Sequence, residues 1–165
     1  MLPSFVVSAI ATCVAVITLV RDVGLHWRES RRSQAKLVSA WHADGNETSK
    51  EYIALANLSG TLVYAVVVAF VINEDDALRD QDNSPRYLIG TLPPGDWTID
   101  SPVGWHGLGA RPGVEIAFKD ASGRAWQRKT DGSLESLRVN PLEAYKLTFP
   151  ASRVNLRFRH NAARL

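Results

Sequence analysis

The chain has 165 residues, one Cys, 22% charged residues and a formal net charge of +2. That length suits one domain with a real core and leaves little room for a second. The composition excludes full disorder, and a lone Cys excludes a disulfide framework or a cysteine-based zinc site.

The net charge conceals an asymmetry. Residues 21–36 carry +3, residues 144–165 carry +5 with no acid, and residues 37–143 carry −6. An acidic body with basic ends argues against a nucleic-acid footprint on the folded domain. Basic segments beside a membrane are the simpler account.

Residues 2–20 read LPSFVVSAIATCVAVITLV and hold no charge. At about 1.5 Å rise per residue they extend roughly 28 Å, close to the hydrocarbon thickness of a bilayer. The spacing shows no polar stripe, so the segment 1–20 is predicted as a transmembrane helix. No Lys or Arg precedes the run and no small-x-small site ends it, which argues against a cleaved signal peptide. The membrane-proximal basic residues Arg21, Arg28, Arg31 and Arg32 follow within a polar helix or stalk over 21–36. Trp27 falls at headgroup depth. Positive charge on the C-terminal flank orients the N-terminus outside and the remainder in the cytoplasm, with the lipid bilayer as the first expected partner.

From Leu37 onward the helical period gives way to short extended runs. Leu37–Trp41 and Glu51–Leu58 are strand candidates separated by the turn-rich Asp44-Gly45-Asn46. Val63–Ile72 is apolar and β-branched, but too short for the roughly 20 residues of a membrane span. It contains Tyr64 and is closed by Asn73-Glu74-Asp75-Asp76, so it is predicted as a buried strand. Tyr87–Thr91 and Trp97–Asp100 flank the Pro93-Pro94-Gly95 turn. Val114, Ile116 and Phe118 alternate with Glu115, Ala117 and Lys119, and Arg124–Thr130 returns after the Asp120–Gly123 loop. Six to eight short strands over residues 37–149 predict an immunoglobulin-like antiparallel β-sandwich, with a small barrel as the alternative. In the basic segment 150–165, Val154, Leu156 and Phe158 alternate with Arg153, Asn155, Arg157 and Arg159. Two readings stay open there: a last edge strand whose Arg row discourages pairing, or a tail lying on anionic lipid.

The inventory for chemistry is thin. His26, His42, His106 and His160 share no ligand spacing, so no metal site is expected. The acids between Glu74 and Asp82 lack the Gly and terminal Glu of a calcium loop. Cys13 lies inside the predicted membrane helix, no Gly-x-Ser-x-Gly elbow exists, and Gly104–Gly109 does not open a helix after a strand. No catalytic residue and no cofactor is therefore expected. The segment Pro102–Gly113 is long and Gly-rich, and brings Trp105, His106 and Arg111 together as candidate binding residues.

The chain resembles uncharacterised actinobacterial single-pass membrane proteins with a C-terminal β-sandwich-like domain. The resemblance rests on the stretches Gln34–Trp41, Asn57-Leu58-Ser59, Val63-Tyr64, Thr91–Trp97, Arg111–Phe118, Gly123–Arg128 and Gly132–Glu135. It implies an anchor, an Arg-rich segment and a β-rich domain, and it implies no activity. The expected function is a membrane-tethered, non-enzymatic interaction module with a protein partner and no nucleic acid. The alternative is a ligand-sensing β domain reporting through the membrane helix, with a pocket lined by Trp97, Trp105 or Trp126.

Overall fold

The computed structural model describes residues 14, 16–19, 21, 32–43, 51–72, 77–78, 85–102, 112–147 and 154–159. Two compact units divide the chain, Met1–Ser33 and Gln34–Leu165. In the first, residues 14, 16–19 and 21 are helical, and Val14, Val16, Ile17 and Leu19 are exposed. Among the described residues no helix is long and apolar enough to cross a membrane. Most of the segment 1–20, predicted as a membrane span, lies outside the described residues.

The second unit is mainly β, with two antiparallel sheets facing each other as a sandwich. Its strands are β1 (Val38–Ala43), β2 (Tyr52–Asn57), β3 (Val63–Ile72), β4 (Arg86–Leu92), β5 (Gly95–Asp100), β6 (Pro112–Lys119), β7 (Ala125–Arg128), β8 (Leu134–Ser136) and β9 (Arg157–Phe158). One sheet has the order β1-β2-β5-β9 and the other β4-β3-β6-β7-β8. The predicted run at 63–72 is a central strand, flanked by β4 and β6.

Strand alternation places one set of side chains between the sheets. Val38, Ile53, Leu55, Val66, Val68, Phe70, Ile99, Ile116, Phe118 and Trp126 form this inner core. Two bulges interrupt the alternation where β3 meets β4. Ala65 sits at φ 50 and Gly90 at φ 86, and the register shifts between Tyr64 and Val67. The extra residue lets Val63 and Val66 face the same side although they are three apart.

The far face of the β4-β3-β6 region carries a second core. Val67, Ala69, Val71, Leu88 and Ala117 pack there with Ala77 and Tyr145. The cover is the segment after β8, including a single helical turn α1 (Pro141–Ala144). Asn140 caps this turn by accepting a hydrogen bond from the Leu142 amide, and Pro141 begins it where no amide donor is needed. β3 is therefore apolar on both faces because both faces are covered.

The β6–β7 hairpin is pinned by Asp120, which is 2% exposed. Burial on its own would raise the Asp120 carboxyl pKa. Hydrogen bonds from the Ser122 hydroxyl, the Trp126 indole and the Arg124 and Ser122 amides outweigh it and hold the pKa below its ordinary value. A folded pKa below the unfolded one gives stability that is present above the unfolded pKa of about 3.9 and is lost as pH falls through the folded value. Unfolding free energies measured by urea titration from pH 6 downward are expected to fall along this acid limb. The fall is expected to be shallower in Asp120→Asn, and equal slopes in the two proteins would reject the assignment.

Gly113 in β6 is required by close approach. A Cβ there would stand 2.6 Å from Thr130 Cγ2 and 2.9 Å from Val71 Cγ2. Gly113→Ala is expected to cost about 1–3 kcal/mol by overpacking, read as a lowered urea midpoint.

Candidate functional site

Trp105, His106 and Arg111, the predicted binding residues, lie outside the described residues, as do Arg28 and Arg31. Arg21 and Arg32 are both helical and exposed. Of the three tryptophans expected to line a pocket, Trp97 and Trp126 lie among the described residues and Trp105 does not. Trp126 is 2% exposed in the inner core, with its indole N–H donating to Asp120 Oδ2 at 2.7 Å. Trp97 packs against the same core and donates to the Pro93 carbonyl at 3.0 Å. The indole N–H of each ring already has an acceptor, and the Trp126 ring is fully enclosed in the core.

Two other places gather chemistry. The first lies beneath the cover of the second sheet. Glu115 is 1% exposed, and its Oε2 accepts from Tyr145 Oη at 3.1 Å and from Gln127 Nε2 at 3.1 Å. In the register, Arg86 and Glu115 both stand opposite Ala69, one on each side of β3. The Arg86 guanidinium donates to the Tyr145 and Ala77 carbonyls at 2.8 and 3.2 Å and lies 5.9 Å from the Tyr145 ring centroid. This network ties the cover to β4, β6 and β7. A carboxylate held by donors in a packed layer serves as a staple rather than as a mobile acid or base.

The second place is the β5 edge of the first sheet. The segment 154–159 runs along it and joins the two sheets. The Val154 amide donates to the Leu88 carbonyl of β4 at 3.3 Å, and the Arg159 amide donates to the Asp96 carbonyl of β5 at 3.0 Å. Between them β9 pairs Phe158 with Trp97 and Arg157 with Thr98. Val154 and Leu156 pack against the inner core, so the segment closes the open side of the sandwich. For 154–159 this answers the question left open by the sequence, in favour of a strand at the sheet edge.

The last three side chains of this strap each meet a partner group. The Arg157 guanidinium makes two hydrogen bonds to Asp100, at 3.0 and 3.3 Å. The Phe158 ring stands edge-on to Trp97, with centroids 5.2 Å apart and planes at 83°. Arg159 lies 5.8 Å from the Tyr52 ring centroid. Gly95, at φ 122, leaves room for Phe158, since a Cβ there would approach its ring to 3.3 Å. The field of Asp100 also reaches the opposite sheet: burial first, then the Asp100 carboxylate, push the Tyr87 phenol up.

On the same sheet, Trp41 of β1 is 41% exposed beside Ala54 of β2. An open groove of about 530 Å³ lies at the two bulges, lined by Tyr64, Ala65, Leu88, Gly90, Thr91 and Leu142 among others. Among the described residues no group of three His, Cys, Asp or Glu side chains could hold a metal ion.

Sequence reasoning saw the alternation of Val154, Leu156 and Phe158 but not their partners. Asp100, Trp97, Tyr52 and Gly95 are brought to the strap by strand pairing across more than fifty residues, and no local pattern marks them. No protein-family model, curated protein or solved structure matches the chain.

Proposed function

We propose that the protein is a membrane-tethered, non-enzymatic interaction module, with an immunoglobulin-like β-sandwich presented in the cytoplasm on a single N-terminal membrane helix. The observation that carries the interaction reading is the exposure of large aromatic side chains at the two edges of the first sheet. Trp41 and Phe158 are exposed large aromatics, and Arg157 is a largely exposed cation beside Phe158. Trp and Arg dominate protein–protein hot spots, because they bring apolar area and directional hydrogen bonds together.

The immunoglobulin-like reading is supported by strand order. Lettering β1, β2, β3, β5, β6 and β7 as A, B, C, E, F and G places A, B and E in one sheet and C, F and G in the other. β4 then takes the C′ place beside C, and β9 stands beside E, where strand D lies in the constant-type fold. The membrane reading rests on the uncharged run 2–20 and the basic flank after it. It agrees with the resemblance to actinobacterial single-pass proteins, which adds no activity.

The test is topology. Fluorescent-protein and alkaline-phosphatase reporters fused after Leu165 in a bacterial host are expected to give fluorescence and no phosphatase activity, in the membrane fraction. Phosphatase activity would overturn the orientation, and signal in the soluble fraction would overturn the tether. The groove at the β3–β4 bulges supports the alternative, a ligand-sensing β domain, since its volume falls in the range of small-molecule sites.

A further inference from the structure

The strap 154–159 is attached to the sandwich in the manner of a docked peptide. Its pairing covers two of the six residues of β5. Two of its side chains remain accessible: Phe158 is 55% exposed, and the Arg157 side chain is 66% exposed. Along this lane the acceptor reads a pattern. The inner core takes apolar residues at Val154 and Leu156, Asp100 takes an Arg, the Trp97 ring beside Gly95 takes an aromatic, and the Tyr52 ring takes a second Arg. Charge is complementary at the larger scale as well, since residues 37–143 carry −6 and residues 144–165 carry +5. Main-chain pairing at a sheet edge with side-chain pockets at set positions is the strand-addition mode of peptide recognition.

We propose that the β5 lane is a strand-acceptor site for an extended partner segment of the pattern apolar-x-apolar-Arg-aromatic-Arg, and that the chain's own Val154–Arg159 holds this site closed. The proposal deepens the interaction-module reading by naming the partner's chemistry. It does not depend on membrane topology. An intramolecular segment competes with any incoming strand, so the apparent affinity of the closed chain is reduced by the fraction of time the lane is open.

The experiment uses the full chain in detergent and a fluorescein-labelled peptide of the sequence SRVNLRFRH, read by anisotropy. The double variant Arg157→Ala/Phe158→Ala weakens the chain's own strap and is expected to bind the peptide at least tenfold more tightly than the unsubstituted chain. A peptide with Glu in place of its second and third Arg is expected not to bind, and adding Gly95→Ala to the variant is expected to weaken binding. A folded double variant that does not bind, or that binds both peptides equally, overturns the proposal. Should the double variant not fold, hydrogen exchange on the unsubstituted chain decides. Excess peptide is expected to speed exchange of the Arg159 amide while the β5 amides stay protected, and unchanged exchange overturns the proposal. Failure here leaves the reporter result standing, and an inverted topology leaves the titration standing.

Discussion

Truncating Trp126 to alanine is expected to lower the unfolding free energy of the β unit by about 3–5 kcal/mol. The side chain is 2% exposed and belongs to the inner core with Phe70, Phe118 and Ile116. Alanine leaves a cavity between the two sheets and strips the donor from Asp120 Oδ2, which receives the indole N–H at 2.7 Å. A second variant separates these effects. Trp126→Phe keeps most of the apolar volume and loses the donor, so its cost is expected near 1–3 kcal/mol. Urea titrations of both variants measure the difference as a shift in midpoint at constant slope. Equal losses in the two variants would mean that the Asp120 hydrogen bond, and not the packing, holds the hairpin.

Much of this fold was legible in the sequence. The alternation of Val114, Ile116 and Phe118 gives β6, which runs Pro112–Lys119. The run 63–72 is β3 with the same bounds. β-branched residues bounded by turn residues are strong local signals, and tertiary packing had no reason to override them. β8 and α1 were missed for a physical reason. Leu134–Ser136 is three residues long and gains its order from pairing with β7. The turn Pro141–Ala144 is four residues long and too short to show a helical period. Its one readable signal was Asn140 before Pro141, a cap followed by a first-turn proline. The second core had a signal as well. β3 is apolar on both faces, and a strand of that kind demands a cover on each side.

The candidate site was less legible, because it is made by pairing across the chain. Arg157 and Asp100 are 57 positions apart, and nothing near either one announces the other. The tryptophans show the same limit: the Trp97 and Trp126 indole N–H groups donate to the Pro93 carbonyl and to Asp120, acceptors that no local pattern marks. Trp41, on an edge strand and 41% exposed, was passed over because it sat inside an ordinary strand pattern.

Replacing Arg128 by alanine is expected to cost about 3 kcal/mol and to loosen β1 selectively. Among the described residues β1 is an edge strand, paired with β2 in its sheet. The guanidinium of Arg128, from β7 of the other sheet, reaches across to the segment leading into it. Nε donates to the Val38 carbonyl at 2.8 Å, and Nη2 donates to the Lys36 and Ala35 carbonyls at 2.9 and 3.3 Å. Nη1 closes the adjacent turn through the Gly132 carbonyl at 2.8 Å. Burial pulls the Arg128 pKa down, yet a guanidinium starts so high that it stays charged near neutral pH. Gln34 secures the same entry point, donating to Thr61 and accepting from the Ala121 amide. Alanine at 128 leaves several carbonyls short of a donor, and Ala35, which is buried, loses the clasp that seats it. Lysine keeps the charge but presents one compact ammonium in place of a planar fork, so Arg128→Lys is expected to recover less than half of the loss. Hydrogen exchange is the informative readout. In Arg128→Ala the β1 amides are expected to exchange faster while those of β3 and β6 keep their protection, because the opening is local. Unchanged exchange in β1 would show that the clasp does not hold the strand, and full rescue by lysine would show that it adds charge and not geometry. This edge and the strapped β5 edge are the two sides at which a two-layer sandwich would otherwise lie open. The chain closes the first with a forked cation from its own core sheet and the second with an exposed strand.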